Sequence, residues 1–310
     1  MARVVSIVNP VAGKAQGAKL RARAVEELKR LWPDIAFFES NAPGHATVLA
    51  QGAKDSELII AVGGDGTVRE IVSGLMSATG PLDHSTTGSL PLLAVIPVGS
   101  CNDLPKNVGI PADVVEACRV AKQGSKRPID VIRVDMSNES TKAQTYFVNA
   151  TGFGFDAAVT AEAQKSKHLR GLPLYLVAVI RALRNLECPL ALIRAGEFQT
   201  EQRVLMIAAA NGQYYGGGMK VAPDARPDDG FIEVCIGSSM GRLSALRKLP
   251  RFVAGTHVTL KEVRMLRAPE LDLEFREPVQ IELDGDVLVP QPFRRFHLTA
   301  LPKAITVRVA

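Results

Sequence analysis

The first 125 residues alternate short apolar strands with amphipathic helices, and this order restricts the fold more than any other feature of the chain. Apolar positions recur at helical spacing over 17–31, and the segment ELIIAV at 57–62 has the pattern of a buried strand. Strands separated by helices pair in parallel, because each connection must return to the same end of the sheet. The pattern therefore predicts a doubly wound α/β domain with helices on both faces of the sheet.

The remaining elements of this half follow the same order. They are predicted strands at 3–8, 35–38 and 90–97 and predicted helices at 44–53, 67–78 and 111–123. After Gly124, strand patterns follow one another, with helices expected only near 155–184 and 241–254. This change predicts a C-terminal β-sandwich domain. The polar loop QGSKRP marks the boundary, which gives domains at 1–126 and 127–302, with a strand near 303–310 that could return to the first domain.

Composition excludes several classes of protein. A length of 310 residues fits two domains, and 37 basic against 32 acidic residues give a net charge of only +5. That mild charge argues against nucleic acid as a partner, but it is compatible with phosphate ligands or an anionic membrane surface. The four cysteines form no CxxC pair, so a zinc site is not expected. We expect reduced thiols in a cytoplasmic protein instead. The N-terminus lacks a signal-peptide pattern.

A glycine-rich turn, AVGGDGT at 61–67, joins a predicted strand to a predicted helix. Its glycines have no Cβ, so the backbone can turn tightly and approach a ligand; they are Gly63, Gly64 and Gly66. Thr67 can cap the helix, whose N-terminal N–H groups suit phosphate. Asp65 adds an acid suited to a metal or a hydroxyl. An ordinary structural turn is the alternative, but the combination favours a nucleotide with Mg²⁺.

Two more polar loops follow predicted strands. IPVGSCND at 96–103 has hydroxyl, amide and carboxylate groups, on Ser100, Asn102 and Asp103. NPVAGK at 9–14 lacks Walker A spacing; it offers Asn9, Pro10, Gly13 and Lys14. Ligands of doubly wound sheets bind at the carboxyl ends of the strands. Each loop alone could be structural, but together they predict one nucleotide site.

The β-rich half has weaker patterns. Asp228 and Asp229, in a Pro/Asp-rich turn, could bind a cation or lie in a solvated turn. The segment ELDGD at 282–286 contains Asp284-Gly285, a common hairpin turn. The stretch 165–186 is apolar with basic ends, and it fits either a core helix or a helix near lipid. In the second case its headgroup contacts would be Lys165, Lys167, Arg170, Arg181 and Arg184.

These motifs resemble the bacterial diacylglycerol kinase catalytic-domain family of soluble lipid kinases, relatives of sphingosine kinases and, more distantly, of NAD kinases. The resemblance runs from NPVAGK to ELDGD, and its most specific part is GGGM…APDA…DDG at 216–230. It implies a phosphofructokinase-like N-terminal domain, a C-terminal β-sandwich, ATP and Mg²⁺ between them, and a lipid substrate at the inner face of the membrane. Peripheral membrane contact and, in some members, a homodimer are also implied.

The resemblance also assigns roles to residues. The nucleotide site would be lined by Asn9 to Lys14, Ser40, Gly63 to Glu70 and Ser100. Asp65 and Asp103 would serve the magnesium and phosphate network, and Asp286 would be the catalytic base. A structural magnesium would bind the Asp229 side chain and the carbonyls of Arg226 and Phe231.

The chain departs from the family pattern at four positions. Ser40 and Ser100 replace Thr, Leu104 replaces an aromatic residue, and Asp286 replaces the longer Glu. Asp284 is therefore an alternative base. Three functions remain open: an ATP-dependent kinase of diacylglycerol or a related lipid, a kinase of a soluble metabolite such as NAD, and a catalytically weak lipid-binding regulator.

Overall fold

The structure is a computed structural model that describes residues 3–78, 90–166, 169, 171–287 and 292–310, without the side chains of Lys14 and Ala15. The proposed phosphate contact of the Lys14 side chain therefore lies outside the described residues, as do Lys167 and Arg170. The chain forms two units, Met1–Val131 with Lys303–Ala310, and Ile132–Pro302.

The elements are given in chain order. They are β1 (Val4–Val8), α1 (Lys14–Leu31), β2 (Ala36–Glu39), α2 (His45–Gly52), β3 (Leu58–Gly63), α3 (Asp65–Ala78), β4 (Leu92–Pro97), α4 (Asp103–Val108), α5 (Val114–Gln123), β5 (Ser125–Ser137), β6 (Lys142–Phe147), β7 (Ala150–Gly154), α6 (Phe155–Gln164), α7 (Gly171–Ala182), β8 (Leu190–Ala195), β9 (Phe198–Ala210), β10 (Ile232–Ser238), α8 (Arg242–Ala254), β11 (Val263–Ala268), β12 (Glu270–Val279), β13 (Ile281–Leu283), β14 (Asp286–Val287) and β15 (Phe293–Val309).

The first unit is built on a parallel sheet in the order β2, β1, β3, β4 and the end of β15. Strand β3 is buried along its whole length, as expected for a central strand covered on both faces. Helix α1 packs on α5, and α2 packs on α3. Val8 pairs with Val62 and Val62 with Ile96, so the loops that follow β1, β3 and β4 begin at the same end of the sheet.

The predicted strands and helices of the first half are confirmed within a few residues at each end, with two differences. Helix α4 was not predicted, because it is short, contains Pro105 and begins where Asp65 accepts from its backbone, a contact between residues far apart in the sequence. The predicted loop at 123–128 is a strand from Ser125 onward, since β5 starts there and pairs with β15 and β6.

The second unit is β-rich, and its paired strands run antiparallel. The long strand β9 pairs with β8 through its first half and with β7 and β10 through its second half. Aromatic rings fill the core between these strands: Phe153 lies 4.8 Å from Phe296 and 6.2 Å from Phe275, measured between ring centroids. The C-terminal β-rich unit expected from the sequence is therefore present.

Helices of the second unit fall where the sequence placed them, at α6, α7 and α8. Helix α6 packs on β7, β9 and β13, and α7 packs on α6. Several strands predicted from the sequence differ in extent from those observed, among them the strands expected for TYFVNATG at 145–152 and VTLKEVRML at 258–266. TYFVNATG is split into β6 and β7 because the N–H groups of Val148 and Asn149 donate to Asp284 rather than to a strand. The strand expected at 258–266 begins only at Val263. Among the described residues, no helix is both long and apolar enough to cross a membrane.

Candidate active site

The loops after β1 and β3 are joined directly at the carboxyl end of the parallel sheet. The Asn9 Nδ2 donates to the Thr67 Oγ1 at 3.0 Å, and the Asn9 backbone N–H donates to the Val62 carbonyl at 3.0 Å. The Asn9 Oδ1 also accepts from the Val11 N–H at 3.0 Å, which fixes the start of the loop that contains the half-buried Pro10. The predicted nucleotide-site residues Asn9 and Thr67 are therefore neighbours.

Glycines allow the three loops to approach one another. A Cβ on Gly99 would lie 2.5 Å from the Gly64 Cα, which is closer than atoms can pack. Gly13 has a φ of 68°, and a Cβ there would lie 1.9 Å from the Val98 carbonyl oxygen. Helices α1 and α3 start directly at these loops, at Lys14 and Asp65, so their N-terminal N–H groups lie at the same end of the sheet.

Asp65 of the GGDGT turn ties the loop after β3 to the loop after β4. Its two carboxylate oxygens accept from the backbone N–H groups of Asp103 and Leu104, each at 3.0 Å. The carboxylate therefore caps the first turn of α4. Asp103 is buried, with 4% of its surface exposed, and its Oδ1 lies 2.8 Å from the Lys106 Nζ. The contribution of Asp65 and Asp103 to a metal and phosphate network stays a prediction, but their mutual arrangement is fixed by these bonds.

The loop after β4 is closed by Asn102. This residue has a φ of 53°; its Oδ1 accepts from the Gly99 N–H at 3.0 Å, and its Nδ2 donates to the Gly99 carbonyl at 3.2 Å. Ser100 lies within this closed loop and is half-buried. The amide of Asn102 therefore shapes the loop.

Two residues that the resemblance placed at the nucleotide have structural partners. Glu70 accepts from the N–H groups of Gly44 at 2.8 Å and Ala46 at 3.1 Å, so it caps the N-terminus of α2. Ser40 directly follows β2, is buried, and donates its N–H to the Val8 carbonyl at 2.9 Å. Contact of either residue with a nucleotide stays a prediction.

In the second unit, Asp284 and Gly285 form the two-residue turn between β13 and β14. The hairpin interpretation of this sequence is therefore confirmed. Asp284 has a φ of 48° and is 5% exposed; its carboxylate accepts from the N–H groups of Val148, Asn149 and Ala150 at 2.9–3.1 Å. Asp286, at the start of β14, is half-buried.

Behind this hairpin lies a cluster of acids and a tyrosine. Glu282 is fully buried; its Oε1 accepts from the Tyr215 hydroxyl at 2.5 Å, and its Oε2 accepts from the Gly285 N–H at 3.0 Å. A Cβ on Gly152 would lie 2.7 Å from the Asp156 Oδ2 and 2.8 Å from the Tyr215 hydroxyl, so both groups sit over this glycine of β7. The cluster is therefore formed by Asp156, Tyr215 and Glu282.

Burial controls the charge of this cluster. Loss of hydration raises the pKa of Asp156 to about 8 and raises the pKa values of Glu282 and Tyr215 well above their usual ranges. The neighbouring acids raise the pKa of Glu282 further by repulsion. At neutral pH the Asp156 carboxyl is therefore mostly protonated, and it can donate a hydrogen bond as well as accept one.

Asp156 also lines an apolar cavity of the second unit. Helices α6, α7 and α8 and strand β9 contribute the lining; representative residues are Val159, Tyr175, Val179, Leu205, Leu249 and Phe252. Within the described residues, the Asp156 Oδ2 is buried and has no hydrogen-bond partner. The cavity thus combines hydrocarbon walls with one acid whose hydrogen-bonding capacity is partly unused.

In the turn that was predicted to bind magnesium, the Asp229 carboxylate contacts the cationic side chain of Arg267. The Asp229 Oδ1 accepts from the Phe231 N–H at 3.1 Å, and the Arg267 guanidinium lies 2.6 Å from the Asp229 Oδ2 and 4.2 Å from the centre of the Phe231 ring. Arg226, the third predicted ligand, is exposed. The described residues contain no group of three or more His, Cys, Asp or Glu side chains arranged for a metal. Arg267 therefore neutralises the Asp229 carboxylate, and the binding of magnesium at this turn stays a prediction.

Sequence reasoning missed Asp156, Tyr215 and Glu282. Asp156 had a detectable pattern, since TGFGFD places an acid in a glycine-containing strand-to-helix turn much as GGDGT does. Glu282 was inside the ELDGD segment, but the pattern drew attention to the two aspartates. The sequence around Tyr215 contains no pattern to indicate that its hydroxyl would bond to a buried acid, as distinct from the hydroxyl of any other core tyrosine.

Comparison with known proteins gives matches over nearly the whole chain. The model of the diacylglycerol kinase catalytic domain matches residues 3–134, and that of the YegS C-terminal NAD kinase beta sandwich-like domain matches 149–309. A curated relative named diacylglycerol kinase, from Bacillus subtilis (strain 168), is 29% identical over 316 residues, which cover 98% of this chain and 97% of the relative.

Solved structures give the same picture of the fold. A crystal structure of a candidate diacylglycerol kinase from Bacillus anthracis str. Sterne has a TM-score of 0.76 and 25% identity, and covers 99% of this chain and 97% of that one. Yeast NADH kinase complexed with NADH has a TM-score of 0.54 at 13% identity over 100% of this chain and 84% of that one, and shows a shared fold alone.

Proposed function

Because this chain belongs to the diacylglycerol kinase catalytic-domain family, a family of lipid kinases, we propose that it transfers the γ-phosphoryl group of ATP to the hydroxyl of diacylglycerol or a related lipid. ATP enters as its magnesium complex, which is a substrate of the reaction. The finer proposal includes a phosphofructokinase-like first unit, a β-sandwich second unit, and peripheral contact with the inner face of the membrane, where the acceptor resides.

The apolar cavity of the second unit is the observation that carries this proposal. Its walls are hydrocarbon, which suits an acyl or isoprenoid chain and would repel a charged soluble metabolite. The protonated Asp156 can hydrogen-bond a hydroxyl or ester oxygen of the lipid without burying a charge. We therefore assign the acceptor's apolar part to this cavity and its polar end to Asp156.

The loops of the first unit support the nucleotide half of the reaction. Gly13, Gly64 and Gly99 let the three loops pack closely, and the starts of α1 and α3 offer N–H groups and positive potential to phosphate oxygens. Phosphoryl transfer spreads negative charge over the equatorial oxygens, so such fixed donors stabilise the transition state. Asp65 contributes by holding the loop after β4 in place.

Asp286 is the proposed general base. The lipid hydroxyl oxygen forms a bond to the γ-phosphorus, the bond to the β-phosphate bridging oxygen breaks, ADP leaves, and the hydroxyl proton passes to the Asp286 carboxylate. The alternative, Asp284, already accepts three backbone hydrogen bonds and is nearly fully buried, so it is poorly suited to collect a proton. This contrast favours Asp286.

One experiment separates the three candidate functions. Purified protein is incubated with radiolabelled MgATP and, in separate arms, a total lipid extract, dispersed diacylglycerol or NAD, and labelled products are identified by mass. Label in a lipid supports the proposal; label in NAD supports a soluble-metabolite kinase. ATP binding with no transfer in any arm supports a regulator and contradicts the proposal.

A further inference from the structure

Helix α8 has an apolar face turned to solvent as well as one turned inward. On its inner side Ala245, Leu249 and Phe252 line the cavity. On its outer side Leu243 and Leu246 are 59% and 40% exposed. A surface helix ordinarily presents polar residues to water, so the outer leucines of α8 need a reason of another kind.

Helix α7 repeats this arrangement. Tyr175 and Val179 line the same cavity, whereas Pro173 and Ile180 are exposed on the opposite side, Ile180 by 52%. Leu176, which lies between them at helical spacing, is half-buried. The two helices that cover one apolar cavity thus both carry hydrocarbon outward.

The charged residues of α7 and α8 themselves are all basic. No acidic residue occurs between Glu162 and Glu187 or between Glu233 and Glu262. The exposed or half-buried basic residues of α7, the turn after it and α8 are Arg181, Arg184, Arg242, Arg247, Lys248 and Arg251. The Lys248 Nζ lies 3.3 Å from the Glu262 Oε1. Exposed leucines flanked by an excess of basic side chains match a bilayer with anionic headgroups.

We propose that the outer faces of α7 and α8 are a membrane-docking surface whose partner is the anionic surface of a lipid bilayer. Both helices also wall the acceptor cavity, so docking would bring that cavity to the membrane. The inference deepens the proposed function and rests on it only in naming the bilayer as the source of the acceptor. A second copy of the chain is a less suitable partner, because it would bring two acid-free, arginine-rich faces together.

The test is flotation of the full-length protein with vesicles of phosphatidylcholine alone and of phosphatidylcholine containing about one third phosphatidylglycerol. One variant combines Leu243→Ser with Leu246→Ser, and another combines Arg242→Gln with Arg247→Gln. The matched control combines Val48→Ser with Arg276→Gln, since Val48 is 61% exposed on α2 and Arg276 is exposed on β12. Equal melting temperatures verify that each variant is folded.

We expect wild-type protein to bind the anionic vesicles more tightly, with binding weakened by salt. The leucine variant should lose at least about tenfold in partitioning. The arginine variant should lose about fivefold per arginine on anionic vesicles alone, and the control should match wild type. Wild-type protein that binds neither vesicle, variants that bind like wild type, or a dimer that the leucine changes dissociate would each overturn the proposal.

Phosphorylation of detergent-dispersed diacylglycerol separates this inference from the proposed function. The surface variants should phosphorylate dispersed lipid at the wild-type rate, because the substituted residues are outside the cavity. Lipid phosphorylation without vesicle binding would refute the docking surface and leave the kinase standing. Vesicle binding without phosphorylation of any lipid would support the docking surface and refute the kinase.

Discussion

Two neighbouring acids of one hairpin, Asp284 and Asp286, differ in what their surroundings allow. Asp284 holds three backbone N–H groups in place, and Asp286 is half-buried with its side chain at the start of β14. We expect Asp286→Asn to lower kcat by about 10²–10⁴-fold with little change in the KM for ATP, because it removes the proposed base and no proposed phosphate contact. Steady-state kinetics with dispersed lipid measures this change.

The control for this substitution is Asp55→Asn, at an exposed position of the first unit. It removes the same charge and should leave kcat unchanged. Wild-type turnover by Asp286→Asn would exclude Asp286 as the base. By contrast, the main effect of Asp284→Asn should be a lower melting temperature, since an amide cannot accept from all the N–H groups that the carboxylate holds.

Asp156 links the cavity to the stability of the fold. Its pKa rises from the ordinary 3.8 to about 8 on burial, so the native state holds a proton that the unfolded chain has released. The stabilising contribution of this group is therefore fully present below about pH 4 and decreases as pH rises toward 8, by up to about 1.4 kcal/mol per pH unit. Glu282, whose pKa is also raised, contributes in the same direction.

We expect Asp156→Asn to flatten this decrease, because asparagine cannot lose a proton. Urea unfolding of both proteins at several pH values between about 5 and 8 gives the difference, and Asp55→Asn should keep the wild-type slope. Parallel slopes for wild type and Asp156→Asn would contradict the protonated state. The same variant should raise the KM for lipid, since the amide presents a different donor and acceptor to the acceptor's oxygens.

At the scale of elements, the GGDGT carboxylate acts as a helix cap. Asp65→Asn leaves one oxygen for the two N–H groups at the start of α4, so we expect a loss of about 0.5–2 kcal/mol in the free energy of unfolding. The loop after β4 should then shift, and kcat/KM for MgATP should fall. Urea unfolding and kinetics measure the two effects.

Asp113→Ala is the matched control, because the Asp113 Oδ1 accepts from the N–H groups of both Val115 and Glu116 and the alanine removes this cap of α5. It should lower stability by a similar amount and leave kcat/KM for MgATP unchanged. If Asp65→Asn retained normal activity at saturating MgATP, the loop after β4 would have no role in nucleotide use.

The turn at 226–231 could bind either of two cations, the Arg267 side chain or Mg²⁺. The ion pair between Asp229 and Arg267 predicts that Asp229→Ala and Arg267→Gln lower the melting temperature by similar amounts and leave the protein's magnesium content unchanged. Mass spectrometry of the metals in the purified proteins measures that content. Magnesium that is lost in Asp229→Ala but kept in Arg267→Gln would instead restore the metal site that the family resemblance implied.

Local patterns predicted most elements, but contacts between distant residues decided the rest. The alternation of β1 to β4 with helices, and the positions of α6 to α8, follow from apolar periodicity. The break between β6 and β7 does not, because it depends on Asp284, more than 130 residues away. The polar loops at the carboxyl ends of β1, β3 and β4 were predictable from strand ends, whereas the acid cluster at Glu282 depends on burial that no short motif reveals.

At the scale of the whole molecule, the chain passes between its units within two long strands. Strand β5 starts in the first unit and continues into the second, and β15 makes the return, with Val307 paired to Leu93 of β4. The hydroxyl of Ser125 also bonds the Val309 carbonyl. The last eight residues therefore belong to the first unit, although residues 132–302, which precede them, form the second unit.

This arrangement predicts separate responses of the units to loss of core volume. Ile305, on the returning part of β15, and Ile193, on β8, are both almost fully buried. Each change to alanine should lower the free energy of unfolding by about 2–5 kcal/mol. Under native conditions, Ile305→Ala should speed hydrogen exchange in peptides of β3 and β4, and Ile193→Ala should speed it in β9 and β12. Identical exchange patterns in the two variants would mean that the units unfold as one.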